Sequence, residues 1–425
     1  MKHSNHKIEK INLTSGAKLV NIIVPDLPFS IISAWFNAGS RFDPKGKEGL
    51  AHFFEHLLMT KTKKFKDRMK RLESLESNGI SYNAFTSRQA CHYYQFQMAE
   101  KTYDSLEIFL EGLNASVIDE KMFESEKEII IDEASRSNES PESRIWFLGT
   151  EALFQGSSLG QNFFGTEKSI KAISIGDMIE FKNKFYSPEK AVFVFIGNEP
   201  TKKIAGFINS GYKKGKKGEY LREITSEKAY KPERLKVEKR KGDRLTISIN
   251  FKTVPMADHK EIIALDFIAS YLADHWISRL NQKLRIENNY TYWVESGSDN
   301  FSDSGYLSFI YTSDKNKLNP SLDIAFDEID ILKNKNIPKS LFQSHKNYHK
   351  ANISRRLHDP FALLWWYGDP ALLGGELISP SEYLKKIDEL SADEIRMVAK
   401  KYLTEENVSV AIIGNMSKDE VKFKL

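Results

Sequence analysis

The sequence predicts an α+β protein built twice over, and three observations carry that expectation. Tyr94, Phe96 and Met98 alternate with Tyr93, Gln95 and Gln97, the period of two that marks a strand. Leu106, Phe109, Leu110, Leu113 and Val117 keep helical spacing and make one apolar face. Residues 174–198 then recur 217 positions on: Ser174 meets Ser391, Lys184 meets Lys401, Glu189 meets Glu406, and Gly197-Asn198 meets Gly414-Asn415. Each copy reads as a helix running into a strand that stops at Gly-Asn.

Taken in order, residues 19–24 and 31–36 are apolar, β-rich runs separated by Pro25 and Pro28, and read as strands. Residues 119–138 read as a helix, with acids in the first turn. Two halves follow: a first domain over 1–215, a linker over 216–232 rich in Lys and Gly, and a second domain over 233–425. The basic run from Lys61 to Arg71 reads as a solvated helix start that would also favour acidic peptides. Trp365-Trp366-Tyr367 reads as a packing segment, Gly374-Gly375 as a loop, and His92, His275, His345, His349 and His358 as histidines outside any ligand spacing.

Composition narrows the class. With 425 residues and a net charge of +4, the chain has length for more than one core and too mild a charge to argue for nucleic acid. A single cysteine, Cys91, excludes an internal disulfide and fits a reducing compartment. No apolar run reaches membrane-spanning length, and residues 1–18 lack the apolar stretch of a signal peptide, so the cytoplasm is the expected location, with no membrane partner.

Chemistry is concentrated in His52-Phe53-Phe54-Glu55-His56, the pattern H-x-x-E-H. On a helix His52 and His56 lie one turn apart, so both imidazoles reach one cation, and Glu55 stands beside them to take a proton from water. Zn²⁺ takes N and O donors in a roughly tetrahedral set, and a catalytic site keeps one position open. The motif supplies two ligands and a base, and demands a third ligand from elsewhere. In the 119–138 helix, Glu126 and Glu133 are two turns apart on one face, with Ile129-Ile130-Ile131 between them indicating a packed helix.

These residues make the chain resemble the inverted-zincin peptidases of the pitrilysin, insulin-degrading enzyme and mitochondrial processing peptidase type. In that family a Glu about 75 to 77 residues past the second motif histidine is the third ligand, preceded seven residues earlier by another Glu, and here Glu133 and Glu126 stand at such positions. The resemblance therefore implies Glu133 as third ligand, with Asp132 as the neighbouring alternative, and Glu126 as the carboxylate that orients a histidine. Asn83-Ala84-Phe85-Thr86 looks like the family's edge strand that pairs with substrate backbone. Leu284 to Tyr292 resembles the family's Arg-Glu-x-x-Gly-Leu-x-Tyr segment, with Arg285 and Tyr292 at the matching spacing. Ile286 replaces the usual acid, and Asn288-Asn289-Tyr290 replaces the glycine-containing turn.

What the resemblance implies is a zinc endopeptidase with one Zn²⁺ per chain. Its two duplicated domains would each be an antiparallel-rich sheet covered by helices, the chain forming half of a clamshell chamber. Glu55 would be the base, with Arg285 and Tyr292 gripping the substrate carbonyl from the second domain. A second copy of the chain, or an inactive homologous partner, would complete the chamber around a peptide substrate. The alternative from another class is a non-catalytic peptide-binding or scaffold subunit of a heterodimeric peptidase.

Overall fold

A computed structural model describes residues 6–213, 230–357 and 359–424, so most of the expected linker, and His358, lie outside the described residues. Contacts divide the chain into two units, Met1–Arg136 with Asn162–Ile224 and Leu357–Ser379, and Ser137–Gln161 with Thr225–Arg356 and Pro380–Leu425.

In the first unit, runs of β-branched and aromatic residues make β1 (Lys7–Asn12), β2 (Lys18–Ile23), β3 (Phe29–Phe36), β4 (Ser81–Thr86), β5 (Cys91–Met98) and β6 (Val192–Gly197). They form one sheet in the order β1-β2-β6-β3-β5-β4, antiparallel except between β2 and β6. The larger core on one face gathers α1 (Leu50–Leu57), α3 (Thr102–Ala115), α4 (Glu120–Glu139), α6 (Glu167–Lys171), α7 (Ile175–Phe185) and α8 (Thr201–Gly211), while α2 (Arg68–Glu76) packs near β4. The other face takes α12 (Pro360–Leu373), whose Leu363, Leu364 and Tyr367 pack among Trp35, Val194 and Ile196.

Covering both faces changes the meaning of the alternation in β5. Gln95 and Gln97 are buried, and both side chains meet the Ser105 hydroxyl of α3, at 2.6 and 2.7 Å. The polar face of this strand is an inner face, where both amide oxygens accept from Ser105 and Gln97 Nε2 donates to Ser30 Oγ.

The second unit has β7 (Leu235–Lys239), β8 (Arg244–Thr253), β9 (Val294–Asn300), β10 (Gly305–Asp314) and β11 (Val408–Gly414), in the order β7-β11-β8-β10-β9. Only β7 and β11 run parallel among these pairs. One face carries α5 (Pro141–Leu153), with Ile145 and Leu148 packed on Ile310, Ala411 and Ile413. The remaining helices are α9 (His259–Leu272), α10 (Leu318–Asn334), α11 (Lys339–Arg356), α13 (Pro380–Glu389) and α14 (Ala392–Tyr402).

The repeat is visible down to its hydrogen bonds. Ser174 caps α7 by accepting from the Asp177 N–H while Asp177 accepts from the Ser174 N–H; Ser391 and Glu394 do the same for α14. Each helix then leads to an inner strand, β6 or β11, whose neighbours match in order and direction.

Two helices depart from the expected continuous halves. Although α5 lies within residues 1–215, it belongs to the second unit, and α12 belongs to the first. Both open with a side-chain cap and a proline, Ser140-Pro141 and Asp359-Pro360, and both carry a glycine eight residues later, Gly149 and Gly368. A Cβ on Gly149 would come within 2.6 Å of Asn250, and one on Gly368 within 1.9 Å of Trp35. The absent side chain lets each helix lie directly on its sheet.

Candidate metal centre

The motif helix is held by its first turn. Gly49 adopts φ 95°, and a Cβ there would sit 2.6 Å from the Phe164 carbonyl oxygen, so only glycine fits. The Asp43 carboxylate accepts from the N–H groups of Gly49 and Ala51, both at 2.8 Å. Burial pushes this carboxyl well above its ordinary range, although those N–H groups pull the other way. Leu50, Ala51, Phe53, Phe54 and Leu57 are buried, which fixes the rotation of α1 and leaves His52, Glu55 and His56 on its remaining side.

Across from them runs α4. The ligand atoms of His52, His56 and Glu133 lie within 4.8 Å of one another, the only such group of three or more His, Cys, Asp or Glu among the described residues. His56 Nε2 is 3.6 Å from Glu133 Oε2. Two donors at about 2.1 Å in a tetrahedron are separated by roughly 3.4 Å, so this pair already has the spacing of two ligands. The other nitrogen of His56, Nδ1, lies 3.4 Å from Glu126 Oε2, and Glu126 Oε1 accepts from Arg68 Nη1 at 2.8 Å. Asp132 instead pairs with Arg136 on the exposed side of the helix.

Electrostatics suit a cation. Burial, with a smaller contribution from the neighbouring His56, pushes the His52 imidazole down to about 3, so it is neutral as a ligand must be. His52 Nδ1 is buried and has no hydrogen-bond partner among the described residues. For His56, burial pulls downward, but the bond to Glu126 and the charges of Glu55, Glu133 and Glu126 outweigh it and raise the group. Burial raises Glu55, against the pull of a 2.6 Å hydrogen bond from the Thr86 hydroxyl. Two imidazoles, one carboxylate and an orphaned buried nitrogen fit a divalent cation of borderline softness, Zn²⁺ above all.

The remaining candidate residues fall in two places. Asn83, Ala84, Phe85 and Thr86 lie on β4, which pairs only with β5 among the described residues. Asn83 and Phe85 are exposed, whereas Thr86 is buried and turned to Glu55. Arg285 and Tyr292 lie together in the second unit, the guanidinium carbon 5.0 Å from the tyrosine ring centre. Arg285 sits on a π-helical turn, Asn281–Glu287. Asn289, where the family pattern has glycine, holds φ 53°, a left-handed conformation that asparagine tolerates.

Sequence reasoning missed the hold of Asp43 on the motif helix and of Arg68 on Glu126, since no spacing rule marks a residue that acts through a tertiary contact. The basic run does open a helix, α2, and is mostly exposed as expected. Arg71 is buried, with its guanidinium 4.8 Å from the Tyr82 ring centre, and Arg68, Lys61 and Lys64 are paired to Glu126, Asp119 and Glu107.

Comparison with known proteins identifies the class and then the family. The solved structure of a protease from Helicobacter pylori superposes with a TM-score of 0.86 at 20% identity, covering 96% of this chain and 99% of that one. A structure described as the peptidase M16 inactive domain from Pseudomonas fluorescens also reaches 0.86, at 16% identity over 99% and 100% of the two chains. These likenesses show the fold, an α+β half of the M16 peptidase type. The family described as "Insulinase (Peptidase family M16)" matches residues 23–167, and "Peptidase M16 inactive domain" matches 172–348. The chain belongs to peptidase family M16, as its resemblance to the inverted zincins implied. Among relatives, an uncharacterized zinc protease of Bacillus subtilis (strain 168) is 23% identical over 96% of this chain and 99% of its own. The mitochondrial-processing peptidase subunit beta of Saccharomyces cerevisiae is 23% identical over 95% and 90%. No helix among the described residues is long and apolar enough to cross a membrane.

Proposed function

We propose that this chain is a zinc-dependent endopeptidase that hydrolyses peptides or unfolded segments. The observation that carries the reading is the meeting of His52, His56 and Glu133 donor atoms beside a half-buried carboxylate, Glu55, whose proton affinity burial raises. His52, His56 and Glu133 would hold one Zn²⁺, with Glu126 orienting His56 and Arg68 holding Glu126. When bound, the ion is a Lewis acid that acidifies water and polarises a carbonyl.

The chain's own groups do the rest. Glu55 takes the proton of the attacking water on a carboxylate oxygen and delivers it to the leaving amine nitrogen. The Thr86 hydroxyl fixes the Glu55 rotamer, leaving its second oxygen for the water. β4 has a strand neighbour on one side only among the described residues, and an extended peptide would add on its other side with little regard to sequence, displacing the Asn83 side chain from the Ala84 N–H. Arg285 and Tyr292 donate hydrogen bonds to the substrate carbonyl region.

Glu55→Gln is expected to keep zinc and to lower hydrolysis of a quenched peptide by roughly 10²–10⁴-fold, the worth of a general base. Turnover near the wild-type rate with zinc bound would sink the mechanism.

Assembly is part of the proposal. A second copy of the chain completes the chamber, and the Arg285–Tyr292 pair of one copy serves the metal centre of the other. Inactive Glu55→Gln and inactive Arg285→Ala chains, coexpressed, are then expected to regain activity; absence of recovery speaks against sharing between copies. The chain's match to a family description containing "inactive domain" supports a second reading, a non-catalytic peptide-binding or scaffold subunit of a heterodimeric peptidase. Zinc content and the effect of a chelator on hydrolysis separate the two. We propose the cytoplasm as location, a reducing compartment that the single buried thiol of Cys91 fits.

A further inference from the structure

Arg285 stands in the middle of an exposed apolar patch. Trp276 is 61% exposed, Ile277 46%, Ile286 54% and Tyr292 69%. Large apolar side chains exposed together mark a surface with an occupant more often than a bare one. The guanidinium carbon of Arg285 lies 4.0 Å from the Trp276 ring centre and 5.0 Å from that of Tyr292. No ion pair of Arg285 exists among the described residues, and the nearest acid on its own turn, Glu287, is paired with Lys283 at 2.6 Å. The cation is thus held by two aromatic rings, an arrangement that attracts it without neutralising it.

The loop carrying Trp276 is fixed by the turn carrying Arg285. Asn281 Nδ2 donates to the Ala273 carbonyl at 2.7 Å, and Gln282 Nε2 donates to the Trp276 carbonyl at 2.6 Å. Ser278 Oγ donates to the His275 carbonyl at 2.6 Å. His275 is buried, its ring 4.1 Å from that of Tyr348 and 4.8 Å from that of His345. One residue of the loop is pinned inward while the next, Trp276, faces out. An indole on such a rigid base holds the guanidinium in one orientation, with its N–H edge free for a carbonyl or carboxylate oxygen.

We propose that Trp276 is a positioning and specificity-determining residue: it clamps Arg285 against Tyr292, and with Ile277 and Ile286 it forms an apolar shelf for a large apolar side chain of an extended peptide, beside the carbonyl that Arg285 grips. The inference rests on the peptidase reading for the role of Arg285, and extends it to the class of peptide taken. An extended peptide is the fitting occupant because the patch pairs hydrogen-bond donors that lack an acid with exposed apolar surface, complementary to a backbone carbonyl next to an apolar side chain.

Two arms test it. In the first, two quenched peptides differ only by Phe or Ser beside the scissile bond. Trp276→Ala is expected to reduce the ratio of kcat/KM for the Phe peptide over the Ser peptide roughly tenfold, mostly through KM, with Trp276→Phe restoring most of it. Wild-type kinetics in Trp276→Ala, or an equal loss on both peptides, would overturn the inference and leave the peptidase reading standing. In the second arm, binding of the Phe peptide to the zinc-loaded Glu55→Gln protein is followed by tryptophan fluorescence, and the change is expected to vanish when Trp276→Phe is added. That signal in a protein whose wild type hydrolyses nothing would support the shelf and sink the peptidase reading. Conversion of a dimer to a monomer by Trp276→Ala, with peptide binding intact, would assign the patch to self-association and overturn the proposal.

Discussion

The two units use histidine in opposite ways. In the first, His52 and His56 face carboxylates, with Glu133 and Glu126 approaching His56 at 3.6 and 3.4 Å. In the second, His275, His345 and His349 are buried against one another and against rings. His345 Nδ1 lies 3.1 Å from His275 Nε2, Tyr271 and Tyr348 flank that pair, and Phe267 flanks His349. The Glu328 carboxylate is taken by Arg279 through bonds of 2.8 and 3.0 Å. Burial is the main cause that pushes all three second-unit imidazoles down to about 4. Burial keeps His52 and the second-unit imidazoles neutral, whereas the carboxylates around His56 raise it. Only the first adds carboxylates at ligand distance, which makes it the group that could hold a metal ion.

Replacing a ligand breaks the comparison most severely. His56→Ala is expected to take zinc from about one per chain to almost none, with activity falling by about 10³-fold or more, whereas His345→Ala keeps the metal. Zinc retained in His56→Ala and lost in His345→Ala, measured by metal analysis, would reverse the assignment of the two clusters. Glu126→Gln comes next. It leaves all three ligands but loosens His56, and zinc affinity is expected to fall roughly 10–100-fold in a competition titration. An unchanged affinity would reduce Glu126 to an ordinary partner of Arg68.

The exchanged helices give a smaller test. Gly368→Ala drives a methyl into the fully buried Trp35 and is expected to cost about 1–3 kcal/mol in chemical denaturation. Gly149→Ala meets the end of the Asn250 side chain, which has more freedom to shift, and is expected to cost less. The reverse order would mean that the two helices do not seat alike.

Acid stability is the mildest probe. The three second-unit histidines have folded-state pKa values below the unfolded value of 6.5, so the unfolded chain binds more protons in acid. Their contribution is complete above pH 6.5 and declines as pH falls toward about 4. Melting temperature should drop by several degrees over that window, and His345→Gln should flatten the drop. A slope unchanged by the substitution would remove this cluster from the explanation.

Much of the site was legible in one dimension. His52, Glu55 and His56 are neighbours on one helix, and Glu126 and Glu133 share a face because seven residues make two turns; local spacing is enough for both statements. The repeat was legible for a similar reason, since Ser-capped helices and Gly-ended strands are local devices. Thr86 was marked as part of a substrate strand, while its hydroxyl bond to Glu55 depends on how β4 lies beside α1. The alternation in β5 marked a strand, but that α3 covers its Gln95 and Gln97 side is a tertiary fact.

By itself the sequence determined the two-copy layout, the metal-binding motif and the phase of each helix face, because these follow from periods of two and 3.6 and from residue chemistry. Only the tertiary structure decided which carboxylate reaches which imidazole, which sheet α5 and α12 cover, and that Trp276 and Tyr292 sandwich Arg285. Those are contacts between segments far apart in the chain or on separate turns. They are chosen by the competition of all faces for burial, a quantity no local pattern contains.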